Sequence, residues 1–366
     1  MKILYGVQGT GNGHISRAHA MAKELANTGI EVDFLFSGRE PEQYFDMHSF
    51  GDYQTRRGFT FVTERGRVNW LKTLKQLHAR ELWHDIKQLD LRDYQLVLND
   101  YEPITAHAGK QQRVPVIGIS HQNAFRFAVP KPAMRQANFA VMNRLAPVDT
   151  AIGLHWDSFG EAILPPIVDT IHRHHDRDRS GQPRVLVYLP FESLAELRHL
   201  FAKLDDQQFV IYHPDCPASG EQTANCQFKA LSRSGFAEDL ASCDSVFCNA
   251  GFELPSEAIA LGKRLLVKPV RGQIEQVANA LAIEQLALGW SSRRLDRQLI
   301  RDWLETPLAA GRNYPNVAQA LAQWLAAGRR ETIAELSQRL WVQSRPHRQR
   351  GDYSHTLSNL ALAVSD

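Results

Sequence analysis

Cysteine is scarce and poorly placed for crosslinking. The 366 residues hold four, Cys216, Cys226, Cys243 and Cys248, all in the second half and none in a CxxC pair. That usage predicts free thiols in a reducing compartment. Long apolar runs are missing as well, since no window approaches the about 20 residues that cross a bilayer. The N-terminus, Met1–Val7, runs straight into glycines and polar residues. It lacks the apolar stretch and small-residue cleavage site of a signal peptide, so the expected location is the cytoplasm. Peripheral contact with the inner face of a membrane stays open. An excess of one charge is also absent: 42 Lys+Arg against 40 Asp+Glu leave a net +2. This excludes a chain whose main business is gripping a nucleic-acid backbone. Ordinary apolar and charged fractions, 43% and 22%, exclude disorder and fibrous repeats.

What is present is alternation. Short β-rich runs, Lys2–Gln8, Glu31–Ser37, Gln95–Asn99 and Val114–Ile119, are separated by helical stretches such as Ile15–Asn27, with a further strand near Thr150–Leu154. Buried runs divided by helices predict a parallel sheet covered on both faces. Leu164-Pro165-Pro166-Ile167 then leads into His172–Pro183, a charge-dense run closed by Gly181 and Pro183. With arginines among its histidines and no fixed helical or hairpin spacing, residues 169–183 read as an interdomain linker and not a metal site. Strands are expected again at Arg184–Leu189, Gln208–His213, Asp244–Cys248 and Arg264–Val267, and helices at Glu192–Lys203, Pro255–Leu261 and Ile274–Ala287. Trp303, Leu304, Leu321, Trp324, Leu325, Leu336, Leu340 and Trp341 recur at roughly helical spacing and read as packing surface. The predicted class is α/β: two Rossmann-like domains, 1–168 and 184–345, whose parallel sheets face a central cleft, with a helical C-terminal end and 346–366 as a tail or helix. The ligand belongs in that cleft.

Three strand ends carry polar chemistry. Gln8-Gly9-Thr10-Gly11-Asn12-Gly13-His14 lies between a strand and a helix, where glycines allow a tight turn and backbone N–H groups face an anion or a sugar. Its third glycine falls one position early for a dinucleotide fingerprint. The second strand ends Ser37-Gly38-Arg39 without a carboxylate, so a nicotinamide cofactor is not expected. His14, at a helix start, reads as a general base, or as a histidine bonded to a loop carbonyl. Asp100, ending its strand in Asn99-Asp100-Tyr101-Glu102-Pro103, either orients His14 or caps the next helix. His121, in Ser120-His121-Gln122-Asn123, either meets substrate or caps a helix.

The strongest stretch is Cys248-Asn249-Ala250-Gly251-Phe252-Glu253-Leu254-Pro255-Ser256-Glu257, followed by Arg271-Gly272-Gln273-Ile274-Glu275-Gln276-Val277-Ala278-Asn279. A strand ending in Asn-Ala-Gly before a helix seats a diphosphate without lysine. Glu257, one turn in, is placed to accept both hydroxyls of a ribose. Glu275 and Gln276 open the next helix, within reach of sugar hydroxyls.

These motifs resemble the GT-B glycosyltransferases, including the peptidoglycan lipid-linked N-acetylglucosaminyltransferase and the UDP-glucuronosyltransferase-like enzymes. They are similar in particular to a prokaryotic glycosyltransferase family showing Gly-x-Gly-x-Gly-His, Ile-Ser-His-Gln at a strand end and a late Glu-Gln-x-x-Asn-Ala. The resemblance spans nearly the whole chain and is most specific in the second half. It implies that Ala250, Gly251 and Phe252 hold the donor diphosphate through their backbone and that Glu257 binds the ribose. It likewise implies that Glu275, Gln276 and Asn279 read the donor sugar. Gly9, Gly11, Asn12, Gly13 and His14, with His121, would face the acceptor. The loop Ser232–Phe236, with Ser234 and Phe236, falls where such enzymes hold the nucleobase. One departure is Leu189-Pro190-Phe191-Glu192-Ser193, where the peptidoglycan enzyme has a Gly-Gly-Ser turn. No Asp-x-Asp turn stands out, so neither metal nor cofactor is expected.

The reaction expected from this resemblance is an inverting, metal-independent transfer from a nucleotide sugar, a UDP-sugar, to a hydroxyl acceptor. His14 would take the proton, Asp100 would steady the imidazole, and closure about Pro165-Pro166 would expel water. A lipid-linked or cell-envelope glycan is the expected acceptor class. Phe125–Met142, with Phe127, Val129, Phe139 and Val141 among Arg126, Lys131, Arg135 and nearby Arg144, suits an anionic membrane or a half-buried helix. Arg345–Arg350 reads as a solvated face. The rival readings are a nucleotide-sugar 2-epimerase of the same fold and a non-catalytic nucleotide-sugar-binding protein.

Overall fold

The computed structural model describes residues 1–44, 46–60, 63–64, 66–68, 78–132, 142–168, 183–308 and 311–346. All but the last residue of the expected linker 169–183, the chain after 346 and the stretch 133–141 lie outside the described residues.

Two sheets carry the chain. In the first half the strands run Gln54–Arg56, Glu31–Ser37, Lys2–Gln8, Leu96–Asp100, Val116–Ser120 and Thr150–Gly153 across the sheet, every pair parallel. Numbered along the chain, that order is 3-2-1-4-5-6, the doubly wound arrangement. In the second half Cys226–Lys229, Gln208–Tyr212, Arg184–Tyr188, Ser245–Asn249, Arg264–Lys268 and Trp290–Ser291 repeat the same parallel order. A short antiparallel strand, Glu221–Gln222, adds to its edge.

The strand interiors are buried on both faces: Ile3, Leu4, Tyr5 and Val7 in one sheet, Val185, Leu186 and Val187 in the other. Such uninterrupted apolar runs suit a parallel sheet sandwiched by helices. The order reverses between Lys2–Gln8 and Leu96–Asp100, and again between Arg184–Tyr188 and Ser245–Asn249. At such a point two strand-to-helix loops diverge and leave a crevice at the C-terminal strand ends.

The halves are joined by side chains as well as by chain. Trp156, fully buried in the first half, donates its indole N–H to Ser256 Oγ at 2.8 Å in the second. The C-terminal helices return to the first half. Asn316, capping helix Val317–Ala326, donates to Glu24 Oε1 at 2.9 Å on helix Asn12–Leu25. Ser337 and Trp341, on helix Ile333–Gln343, both donate to Ile163 O. Trp303, Leu321, Leu325, Leu336 and Leu340 are buried, so the C-terminal apolar stripe is packing surface.

Boundaries shift by a residue or a turn. The first helix starts at Asn12, inside the glycine loop, and not at Ile15. Ser232–Phe236 is not a loop: Ser232 Oγ accepts from Gly235 N at 3.2 Å and caps a helix over Arg233–Ser242. Of the described apolar members of Phe125–Met142, Phe125 and Val129 are buried and Phe127 and Met142 are half-buried. They pack beside Ile163 and Ala278. All four cysteines are free and buried.

A buried charge cluster facing an open helix end

The first switch point carries the charge. Asp100, ending its strand, is wholly buried, and two side chains converge on it. His14 Nδ1 lies 2.8 Å from Asp100 Oδ1, while Arg17 spans the same carboxylate with Nε on Oδ2 and Nη2 on Oδ1, each at 2.7 Å. His14 and Arg17 are three apart on one helix, hence on one face. Burial pushes the Asp100 carboxyl up, but Arg17 and His14 reverse this and leave it below its ordinary value. An ionised carboxylate only accepts, so the Asp100 contact favours the tautomer protonated on Nδ1, with the Nε2 lone pair available; Arg17 Nη2 lies 3.0 Å from the same Nδ1. Asp100 contacts His14 and does not cap the next helix. The helix Pro103–Gln112 is capped by Glu102, whose carboxylate accepts from the amides of Ile104 and Thr105.

The glycines serve close approach. None of Gly9, Gly11 and Gly13 has a positive φ, so backbone conformation alone does not require glycine there. A Cβ on Gly9 would strike the Tyr44 ring, and one on Gly13 would come within 3.3 Å of the Glu253 side chain. At Gly11 it would meet nothing within 4 Å, which keeps that stretch of loop open to the cleft.

The second switch point carries an open helix end. Helix Glu253–Ala260 begins after Phe252 with no side chain capping it, so its first amides and the positive end of its dipole face outward. Of the three backbone positions assigned to the diphosphate, Ala250, Gly251 and Phe252, the first two have their amides already engaged. Ala250 N donates to Lys268 O at 3.3 Å and Gly251 N to Asn249 O at 2.8 Å. Ala250 has no exposed surface.

Both points line one cleft of about 850 Å³, with Gly11, Asn12, Gly13 and His14 on one wall and Gly251, Phe252, Glu275 and Gln276 on the other. A smaller recess of about 170 Å³ shares Arg17, Tyr188 and Glu253 with it and is lined deeper by Tyr212, Phe236 and Glu257. Phe236 packs edge-on against Tyr188 and Tyr212 at 5.4 and 5.1 Å between centroids. The recess thus pairs an aromatic wall with a half-buried carboxylate, Glu257. Ser234 is exposed and lines neither space, because on the capped helix it turns to solvent.

His121 and Asn279 belong to the wall and not to the opening. Ser120 caps the helix in place of His121. His121 Nδ1 donates to Leu154 O at 2.8 Å, Nε2 lies 2.6 Å from Asn279 Oδ1, and the ring stacks on Phe252 at 4.0 Å. Burial holds its pKa below the ordinary histidine value. Asn279 has no exposed surface and gives its amide N–H to Ala250 O at 3.0 Å. A buried amide satisfies its polar atoms inside the chain, so this one clamps the loop before the open helix to the first half. Gln276 Oε1 likewise accepts from Val270 N at 2.9 Å.

Sequence reasoning missed three polar residues of the cleft. Arg17 joins Asp100 to Glu253 across the cleft, its Nη1 contacting Glu253 Oε1. Gln122 donates to Glu275 Oε2 at 3.0 Å. The one available signal was the three-residue spacing of Arg17 from His14; Glu253 and Gln122 are legible only once the halves face each other. Glu192, in the departing turn, makes a buried ion pair with Lys268 at 2.6 Å. Among the described residues no group of three His, Cys, Asp or Glu side chains is placed to hold a metal ion. Nor is any described helix long and apolar enough to cross a membrane.

Comparison with solved structures gives the same architecture end to end. The glycosyltransferase SnogD from Streptomyces nogalater matches at 16% identity over 94% of this chain and 99% of its own, with a TM-score of 0.53. The glycosyltransferase of kitacinnamycin matches at 14% over 93% and 98%, with a TM-score of 0.58. SsfS6 from Streptomyces sp. SF2575, solved with thymidine diphosphate, matches at 14% over 94% and 99%, with a TM-score of 0.56. No curated protein matches the chain. The fold is therefore GT-B. A family model described as glycosyl transferase family 1 matches residues 1–154 and 156–307. On that match over most of its length, the chain belongs to glycosyl transferase family 1 and is a glycosyltransferase.

Proposed function

We propose that the protein catalyses an inverting, metal-independent transfer of a sugar from a UDP-sugar to a hydroxyl acceptor, with His14 as the base. The observation that carries this reading is the pairing of an Asp100-oriented imidazole with an uncapped helix start across one cleft. The acceptor oxygen attacks the anomeric carbon, the bond from that carbon to the diphosphate oxygen breaks, and His14 Nε2 takes the acceptor proton. The departing diphosphate gathers charge at the helix start, where preorganised N–H dipoles stabilise it by about 2.7–4 kcal/mol per donor in comparable sites. Phe236 and Tyr188 take the base, Glu257 the ribose hydroxyls, and Glu275 with Gln122 the donor sugar. The acceptor enters beside Gly11 and Arg39, from the wall of the first half, and a lipid-linked or cell-envelope glycan is the class we propose.

Uridine nucleotides carry a 2′-hydroxyl that thymidine nucleotides lack. A carboxylate placed for two ribose hydroxyls favours UDP over TDP, and this supports the choice of donor. The test is a thermal-shift panel of UDP, TDP, UDP-sugars and NAD(P) with EDTA or Mg²⁺. A ligand at 100 times its Kd adds about 2.7 kcal/mol of stability. Stabilisation by UDP or a UDP-sugar, insensitive to EDTA, is the expected result; stabilisation by NAD(P) alone would refute the assignment.

A further inference from the structure

The donor wall of the cleft is acidic. Among the described residues that line it from the second half there is no Lys or Arg, while Glu253 and Glu275 both face it. Lys268 is buried in its pair with Glu192. Arg233 lies over the smaller recess and is paired with Asp46 at 2.7 Å. A nucleoside diphosphate entering here brings further negative charge to a wall of carboxylates. The counter-charge must come from the facing half. Of the arginines there, Arg39 bonds to Asn12 Oδ1 at 2.9 Å and Arg57 lies 3.8 and 3.9 Å from Glu40 and Glu81. Arg17 is the one that reaches the first turn of the open helix.

Its guanidinium is held asymmetrically. Nε and Nη2 are fixed on the two oxygens of Asp100, a planar fork on a planar carboxylate. The remaining arm, Nη1, crosses the cleft to Glu253 Oε1. The other oxygen of that carboxylate, Oε2, is buried and has no hydrogen-bond partner among the described residues. Glu253 thus sits where an anion is favoured, at a helix start and on an arginine, yet half of its carboxylate is unsatisfied. One arginine also faces two carboxylates, so the cluster carries an excess negative charge.

We propose that Glu253 is an internal stand-in for the donor phosphate and that Arg17 is the cation of the leaving group. The inference rests on the glycosyl-transfer reading above. When the donor binds, a phosphate oxygen replaces Glu253 on Nη1 and the glutamate side chain turns out of the contact. Arg17 keeps its grip on Asp100 throughout. During transfer the electron pair of the broken carbon–oxygen bond stays on the diphosphate, beside Nη1. The proton goes to His14, which hangs on the same Asp100. One side chain thereby links the group that gains the proton to the group that gains negative charge. Donor binding in the wild-type protein is weakened by the exchange, because Glu253 must first be displaced.

The sign of that competition is the test. Titration calorimetry on the full chain compares wild type with Glu253→Gln, using UDP, inorganic pyrophosphate and uridine as probes. The variant is expected to bind UDP and pyrophosphate about tenfold more tightly and uridine unchanged. Glu253→Ala is expected to act in the same direction, which removes any dependence on the amide holding Arg17. In an Arg17→Lys background the gain on Glu253→Gln is expected to disappear, as a coupled pair requires. UDP binding that is unchanged or weaker in both Glu253 variants, while wild type binds UDP, overturns the inference and leaves the glycosyl-transfer reading standing. Failure of wild type and variants alike to bind UDP or TDP refutes both.

Discussion

The two switch points are the same piece of architecture with opposite chemistry. Each follows a buried apolar strand, each opens a helix, and each sits where a 3-2-1-4-5-6 sheet reverses its order. In the first half the strand ends supply Asp100 with His14 and Arg17, a cluster buried so deeply that the carboxylate stays ionised only through its partners. In the second half they supply backbone amides at an uncapped helix start and an aromatic recess. Fold alone therefore assigns no role to either crevice; the side chains at the strand ends do. The account makes the first a proton-moving site, with Arg17 as the one side chain it extends across the cleft, and the second the donor seat.

Breaking the first site should have the largest effect. His14→Ala is expected to lower kcat by about 10²–10⁴, measured as donor consumption with and without acceptor. Retained turnover would end its role as base. Next in size, Lys268→Met strands Glu192 as an uncompensated buried carboxylate and should cost about 3–5 kcal/mol of stability by denaturant unfolding. An unchanged midpoint would mean that Glu192 finds another partner. Glu257→Ala should weaken UDP binding by about 1–3 kcal/mol, as for a lost hydrogen bond to a charged group. It should also erase the preference for UDP over TDP, and an unaltered ratio would remove the ribose assignment.

The smallest effect is one of pH. Burial holds His121, and more so His155, below the ordinary histidine pKa near 6.5. Below that pH the unfolded chain takes up protons that the folded chain refuses, so stability is complete above about 6.5 and declines on acidification. The melting temperature is expected to fall from pH 7 toward pH 5, and less steeply in His155→Gln. Equal slopes in the two proteins would show that His155 does not contribute.

These contrasts also mark what a sequence alone can reveal. Strands such as Lys2–Gln8 and Gln208–Tyr212 carry apolar runs and are legible as such, because a strand buried on both faces favours them. The strands Gln54–Arg56 and Cys226–Lys229 were not foreseen, since they lie toward the sheet edges with the polar sequences QTR and CQFK. Helix Arg233–Ser242 begins where the family resemblance implies a loop, and its Ser234 and Gly235 suit a turn equally well. At the site, His14 and Asp100 were readable as strand-end polar groups. The exchange partners Arg17 and Glu253 were not, because they are 236 residues apart and meet only across the cleft. Asn279 was misjudged for a related reason: a side chain near the donor loop is as useful clamping that loop as touching sugar.

The division of labour between the two switch points is tested most directly by the UDP affinity of His14→Ala, measured by calorimetry beside wild type. The account predicts an unchanged Kd, because His14 belongs to the proton-moving wall. A tenfold or greater loss of UDP affinity would place the glycine loop inside the donor seat and contradict the separation of roles.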